Sequence, residues 1–355
     1  MLIPEIKGDD HWKPNQVIPF CIGDVDPSGP FVHVLDDATL DIVMGELDTI
    51  SDFTDYLQKK EAFVRSGKLL VAGGEEDLLA YYMLHMNAKG EHDFAKPDGS
   101  AFTEYDGVSL QTGWHEHMSS NPQYLAKKAA DEISYFWDRL TERFTTNLLN
   151  GTTIVPAGHD SSIANMERGV RHMALADRFK RRILSQAIAD AIAKGGSAPR
   201  FTRAMLPGPT DIDRDTGYFF MMLAVPDFQL DGGYEQYRKV RTNMLETYAL
   251  TFLQRNQNLK RVVGIATEPP SASSGSSEDL LVVEAPEWTP QILNDLEDKR
   301  QAFNIAQEGQ YQEYSVQTDE YPKVARRPSP AAQKAGNRNE RRATAAKTRK
   351  NKKAL

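Results

Sequence analysis

The densest group of residues able to hold a metal is His115-Glu116-His117. On a strand, alternate residues point to the same side, so His115 and His117 would present two imidazoles together. His85, His92 and Asp93 lie upstream and could complete a ligand set, since a site of this kind needs at least three protein ligands. A divalent metal held there would activate water for hydrolysis. Histidines on a surface loop are the plainer reading of the same tripeptide.

Other acids suggest weaker possibilities. Glu5-Ile6-Lys7 has the E-x-K form seen in many metal-dependent nucleases, where a carboxylate holds Mg²⁺ and a lysine sits near the attacking water. That chemistry needs a further acid, and Asp9, Asp10 and Asp24 are the ones at hand. Asp211, Asp213 and Asp215 are spaced like the opening of a calcium loop. Thr216 stands where such a loop needs glycine and Met222 where it needs a bidentate acid, so an Asp-rich hairpin turn is the better account. Thr267 and Glu268 end an expected strand, and ligands of parallel sheets sit beyond strand carboxyl ends. Ser271 to Ser277 follows them as a flexible connection. It is not a phosphate-binding loop, because no Gly-Lys-Ser/Thr comes next. G-x-S-x-G, H-E-x-x-H and G-x-G-x-x-G are absent, and no catalytic residue is assigned. The single cysteine, Cys21, cannot form an internal disulfide and reads as buried and inert.

Positive charge is the other chemical resource. The 355 residues carry 42 Lys and Arg against 50 Asp and Glu, a net charge of -8. From Lys323 to Lys353 there are 12 basic residues and one acid, Glu340, so that stretch carries +11 and the rest of the chain -19. Arg338, Arg341, Arg342, Lys347, Arg349, Lys350, Lys352 and Lys353 crowd its end. Such a tail can neutralise phosphates and release counterions, which makes nucleic acid or a ribosome a suitable partner. A solvated solubility tail, or one that folds back on the acidic body, has the same composition. A second basic group lies on an expected helix from about Ile163 to Lys194. At ~100° per residue, Arg168, Arg171, Arg178 and Arg182 fall within about 80° of one another, opposite Met166, Val170, Met173, Leu184 and Ile188. Four arginines in a row could grip phosphates bidentately. A solvated face paired with acids is the alternative. Asp177 falls on the apolar side and needs a partner, for which Arg181 is nearest.

The elements that must position these residues alternate in type. Val17 to Cys21, Phe31 to Leu35 and Lys68 to Ala72 read as strands. Helices are expected over Ala38 to Leu47 and over Asp52 to Arg65, the latter capped by Ser51. Another follows Gly73-Gly74, with Glu75, Glu76 and Asp77 in its first turn to complement the helix dipole. Residues 87–120 read as a long polar loop. Asn121-Pro122 is a cap followed by proline at the first helical position, and opens a helix that Gly151 stops. Arg200 to Leu206 and Gly217 to Val225 read as paired strands. A helix over Tyr234 to Gln254 and a strand over Arg261 to Ala266 then make a unit long enough for a parallel crossover. Leu280 to Val283 is a last strand, and Thr289-Pro290 caps a helix to about Ile305.

Taken together, the expected fold is α+β (mixed α/β): two packed regions with short sheets and several long amphipathic helices, plus a disordered basic C-terminal tail. The regions are 1–110, 121–320 and the tail 321–355. No apolar run approaches the length of a membrane span and the first residues lack a secretory pattern, so a soluble cytoplasmic protein is expected. Function is read first as association with nucleic acid through the tail, without base specificity. A metal-dependent hydrolase, possibly a nuclease built on His115 and His117, and a protein–protein adaptor are the alternatives.

Overall fold

The computed structural model describes residues 33–66, 69–71, 73–103, 108–110, 113–153, 163–195, 200–207, 213–224, 233–269, 277–305 and 318–322. Val17 to Cys21, Glu5 to Lys7, Asp211, Ser271 to Ser276 and the basic tail lie outside these residues.

The N-terminal part is a small helical core. Helix α1 (Asp37–Glu46) starts where the Asp36 carboxylate accepts the Thr39 amide at 2.8 Å. Helix α2 (Ile50–Arg65) begins two residues earlier than expected. Its cap is Thr49, whose hydroxyl accepts the Asp52 amide at 3.1 Å, while Ser51 donates its hydroxyl to the Leu175 carbonyl at 2.6 Å. Strand β1 (Leu69–Val71) leads into α3 (Glu75–Leu84), as the Gly73-Gly74 signal predicts. The described residues of the stretch 87–120 are not all loop. They include β2 (Val108–Leu110), which pairs in parallel with β1, and α4 (Trp114–Ser120). Phe94 and Met118 from this stretch are buried beside Tyr56, Phe63, Leu79 and Tyr82.

Helix α5 (Pro122–Asp131) passes through a 3₁₀ turn, Glu132–Ser134, into α6 (Tyr135–Leu149). The single helix expected over 163–194 is two: α7 (Ile163–Ala174) and α8 (Arg178–Gly195). Side chains satisfy both ends of the break. Asp177 accepts the Lys180 amide at 2.6 Å, and Arg181 donates to the Ala174 and Ala176 carbonyls at 2.6 and 2.7 Å. A helix end whose orphan groups are met this way has no reason to continue.

The remaining elements form one sheet. Strands β3 (Arg200–Met205) and β4 (Thr216–Leu223) pair antiparallel. Helix α9 (Gly233–Arg255) crosses over to β5 (Arg261–Thr267), which lies parallel to β4. Strand β6 (Glu278–Glu284) returns antiparallel, and α10 (Pro290–Ala302) follows, capped by Thr289 as expected. The order β3-β4-β5-β6 thus has its parallel pair in the centre. Alternate residues of the central strands serve opposite faces. Tyr218, Phe220, Met222, Val263 and Ile265 pack with Trp137, Phe144, Met173, Leu184 and Ile188 of α6, α7 and α8. Phe219, Met221, Val262 and Ala266 pack with Met244, Leu245, Tyr248 and Leu253 of α9. Covered on both faces, β4 reads as an unbroken apolar run rather than an alternating one. Helix α9 lies so close that a Cβ on Gly264 would meet the Leu245 side chain at 3.1 Å. No helix among the described residues is long and apolar enough to cross a membrane.

Candidate functional site

Two polar clusters stand out, and they take up several of the residues singled out by sequence. The first is the seam between the N-terminal core and α8. Arg178 and Arg182 belong to it, and both are buried. Arg178 reaches Asp48 at 2.9 Å and Asp138 at 2.7 Å, and its amide donates to the Asp52 carboxylate at 2.8 Å. Arg181 also pairs with Asp138. Arg182 pairs with Asp131 at 3.0 Å and donates to the Asp319 and Glu320 carbonyls at 2.9 and 3.0 Å. Lys127 holds the other oxygen of Asp131 at 2.8 Å. Glu320 closes the set, 2.8 Å from His92 and 3.7 Å from Lys127. Burial alone would raise the Glu320 carboxyl, but His92, Lys127 and Arg182 outweigh it and hold it down at about 2. Asp52 goes the other way: burial lifts its carboxyl above the ordinary value despite bonds from Thr49 and Arg178.

The expected arginine row therefore does not exist as one face. The break at 175–177 separates Arg168 and Arg171 from Arg178 and Arg182, and the latter two turn inward to acids from α5, α6 and the turn between α1 and α2. Arg168 and Arg171 stay at the surface, the first 3.1 Å from Glu284 and the second 2.8 Å from Glu167 one turn back. The basic residues of the tail, Arg338 to Lys353, lie outside the described residues.

His115 and His117 are corrected as well. They sit on α4, not on a strand. Two residues apart on a helix, side chains diverge by about 200°, so the two imidazoles do not converge. The Asp77 carboxylate accepts the His115 amide at 3.0 Å, which fixes the helix start after Gly113, and the His117 ring lies edge-on to Trp114. Among the described residues no three His, Cys, Asp or Glu side chains come together as a cation site. Asp215 pairs with Lys260 at 2.5 Å and its amide bonds Asp213 at 3.1 Å, as befits an acidic turn before β4.

The second cluster lies at the carboxyl edge of β4 and β5, where a ligand is expected from topology alone. Glu268 follows the end of β5 and is buried. Its Oε1 accepts the Tyr234 hydroxyl at 2.9 Å and the Ser277 amide at 3.2 Å. Ser277 precedes β6 and is held against the end of β5, because Thr267 donates its hydroxyl to the Ser277 carbonyl at 3.2 Å. The Ser277 Oγ lies 2.6 Å from the Tyr234 Oη and accepts from Arg241 Nη2 at 3.1 Å. Arg241, wholly buried, is fixed by Asp279 at 2.7 Å, and Arg238 holds the other oxygen of Asp279 at 2.5 Å. Burial works against the charge of Arg241, yet Asp279 overcomes it and holds the guanidinium above its ordinary value. Tyr237 donates to the Leu223 carbonyl at the end of β4, and burial pushes its phenol up to about 12. Partial burial and the Glu268 carboxylate raise the Tyr234 phenol too.

Proton positions in this cluster are constrained by counting. Tyr234 has one proton, and Glu268, an acceptor only, takes it. The hydroxyl of Ser277 then donates to the Tyr234 oxygen. Arg241 has no acceptor, so it must donate to the Ser277 oxygen. The chain runs Ser277, Tyr234, Glu268, with a fixed guanidinium at its head. Such a chain can move a proton from Ser277 to Glu268. Sequence reading found Thr267 and Glu268 but missed the rest. Tyr234, Tyr237, Arg238 and Arg241 are spaced i, i+3, i+4 and i+7, one face of the first two turns of α9, and that spacing was available as a signal.

No protein-family model, curated protein or solved structure matches this chain.

Proposed function

We propose that the chain associates with nucleic acid through the segment Lys323 to Lys353, by neutralising phosphates and without reading bases. The observation that carries this is the separation of charge: +11 on that segment against -19 on the rest. With Arg178 and Arg182 committed to acids at the seam, the tail is the main source of phosphate contacts, and Arg168 and Arg171 are secondary. The residues just ahead of Lys323 support the same reading. Glu320 is paired with His92, and Tyr321 donates to the Met83 carbonyl at 2.6 Å, so the tail starts from a fixed point beside the N-terminal core. A structured RNA such as that of a ribosome, in the cytoplasm, is the partner this reading favours.

The test is binding of the full chain and of a chain ended before Pro328 to single-stranded and duplex DNA and RNA across a salt series. The expected result is an affinity that falls linearly with log salt, with a slope of about -0.9 per phosphate contacted on duplex DNA. Truncation should flatten that slope and weaken binding to all sequences alike. Binding unchanged by truncation would move the contact to the body, and no binding by either chain at moderate salt would end the reading.

A further inference from the structure

We propose that Ser277 is a nucleophile, and that Ser277, Tyr234, Glu268 and Arg241 form a hydrolytic centre for carboxylic esters at the carboxyl edge of β4 and β5. This goes beyond nucleic-acid association and does not depend on it.

The geometry meets the requirements for an activated hydroxyl. A weak nucleophile needs a base within hydrogen-bond reach, and that base needs a third group to orient it. Tyr234 Oη stands 2.6 Å from Ser277 Oγ, and Glu268 Oε1 stands 2.9 Å from Tyr234 Oη. The serine oxygen has two lone pairs. Arg241 occupies one at 3.1 Å, which leaves the other for attack. The guanidinium also stabilises the negative charge that grows on Oγ as its proton leaves, and in a buried setting such stabilisation is strong. Arg241 cannot swing away, because Asp279 pins it and Arg238 pins Asp279. The relay is not sealed: Tyr234 is 47% exposed and Ser277 half-buried, so a substrate can approach from solvent. The cluster is assembled from α9, the residue that follows β5 and the residue that precedes β6.

Charge selects the substrate class. Asp279 and Glu268 together balance the two guanidinia of the cluster, and the Glu268 carboxylate would repel a phosphate dianion. A neutral carboxylic ester meets no such repulsion. In the first half of the reaction, a lone pair of Ser277 Oγ attacks the carbonyl carbon and the C=O π pair moves onto the carbonyl oxygen. The serine proton passes to Tyr234 as the Tyr234 proton passes to Glu268. That pair re-forms the C=O bond as the bond to the alkoxy oxygen breaks, the alkoxy oxygen takes a proton from Tyr234, and Glu268 returns one to Tyr234. An alcohol leaves and an acyl group remains on Ser277. Water repeats the sequence, so one ester and one water become one acid and one alcohol.

The experiment uses the full chain and a biotinylated fluorophosphonate. Attack by Ser277 on phosphorus forms an O–P bond and expels fluoride, leaving a stable adduct. The expected result is an adduct that mass spectrometry places on Ser277, formed at a rate that Tyr234→Phe lowers by about a hundredfold, the scale of a lost general base. Release of p-nitrophenol from p-nitrophenyl acetate should show a burst that Ser277→Ala abolishes, with the urea unfolding midpoint of each variant confirming that it folds. Mapping the adduct on the unaltered chain decides the matter even where a variant does not fold. No adduct, an adduct elsewhere, or an adduct on Ser277 at a rate indifferent to Tyr234→Phe overturns the proposal. Nucleic-acid binding measured on the same preparation separates this result from the fate of the tail.

Discussion

At the seam, Arg178, Arg181 and Arg182 face Asp48, Asp138 and Asp131, so each guanidinium has a carboxylate within reach. At the carboxyl edge of β4 and β5, Arg238 and Arg241 share one carboxylate, Asp279, and the balancing acid, Glu268, is spent on a tyrosine and a backbone amide. The residue types are the same, but the stoichiometry differs. Three arginines and Lys127, matched by Asp48, Asp131, Asp138 and Glu320, bond two parts of the chain and leave little for an incoming molecule. Two arginines on one aspartate leave a donor over, and Arg241 directs it at the hydroxyl of Ser277. The seam is therefore a fastening, and the edge is a place where a polar group is held ready. Buried ion pairs alone do not mark a functional site. An arginine donor on a hydroxyl does not mark one either, since Arg178 donates to the buried Ser134 Oγ at 3.0 Å; what sets the edge apart is that its hydroxyl, on half-buried Ser277, also meets a tyrosine that bonds a carboxylate.

The largest effect should come from removing the shared acid. Asp279→Ala leaves the buried Arg241 and the part-buried Arg238 without a counter-charge, and breaking a buried pair from one side costs about 3–5 kcal/mol. Chemical denaturation would read this as a lowered midpoint. A cost near zero would mean that the edge cluster is open to water, and the contrast with the seam would fail. Next in size is Arg182→Ala, which strips Asp131 of one partner and the Asp319 and Glu320 carbonyls of their donor. A loss of about 3 kcal/mol is expected. Arg182→Lys should recover only part of it, because an ammonium cannot span a carboxylate and two carbonyls in one plane.

How much of this was legible from the sequence depends on the range of the forces involved. Asn121-Pro122, Thr289-Pro290 and Gly73-Gly74 marked true helix starts, because a cap is local chemistry between residues two or three apart. The crossover from β4 through α9 to β5 was legible from apolar runs and lengths. The break at 175–177 was not, since Arg181 is fixed there by Asp138 on another helix. That His115 and His117 lie on a helix rather than in a loop was hidden for a similar reason. Helix α4 begins because Gly113 adopts a φ of 105° and Asp77, far back in the chain, accepts the His115 amide. At the edge, Glu268 was found by its place at a strand end. Ser277 could not be, because only the register of β6 on β5, pairing Thr267 with Glu278, brings it beside Tyr234.

Acid sharpens the comparison within the seam itself. Glu320 is held at about 2 against its ordinary 4.5, so the unfolded chain binds its proton first. Its stabilising effect is complete above 4.5 and is lost as pH falls through about 2. Asp52 has the opposite sign. Its carboxyl is raised in the fold from an ordinary 3.8, so the folded chain binds more protons and its cost grows as pH rises through and above 3.8. Urea midpoints from pH 6 to pH 2 should show Glu320→Gln destabilised at pH 6, with the gap to the parent closing toward pH 2. Asp52→Asn should gain on the parent as pH rises past 4. Parallel curves for all three chains would show that neither carboxyl titrates as the seam geometry requires.

The smallest effect belongs to the arginines that stayed outside. Arg168 is paired with Glu284 at 3.1 Å, but both side chains are close to half exposed. A surface pair gains little Coulomb energy in water and loses side-chain freedom in forming, so its net worth is about 0–1 kcal/mol. Arg168→Ala should therefore shift the unfolding midpoint by no more than about 0.5 kcal/mol equivalent. The informative readout is the salt dependence of nucleic-acid binding. A phosphate contact by Arg168 would reduce the slope of log affinity against log salt by about 0.9 on duplex DNA. An unchanged slope would leave the phosphate contacts to residues 323–353 and make Arg168 a partner of Glu284 alone. An effect on stability as large as that of Arg182→Ala would dissolve the distinction between arginines that fasten the fold and arginines that face outward.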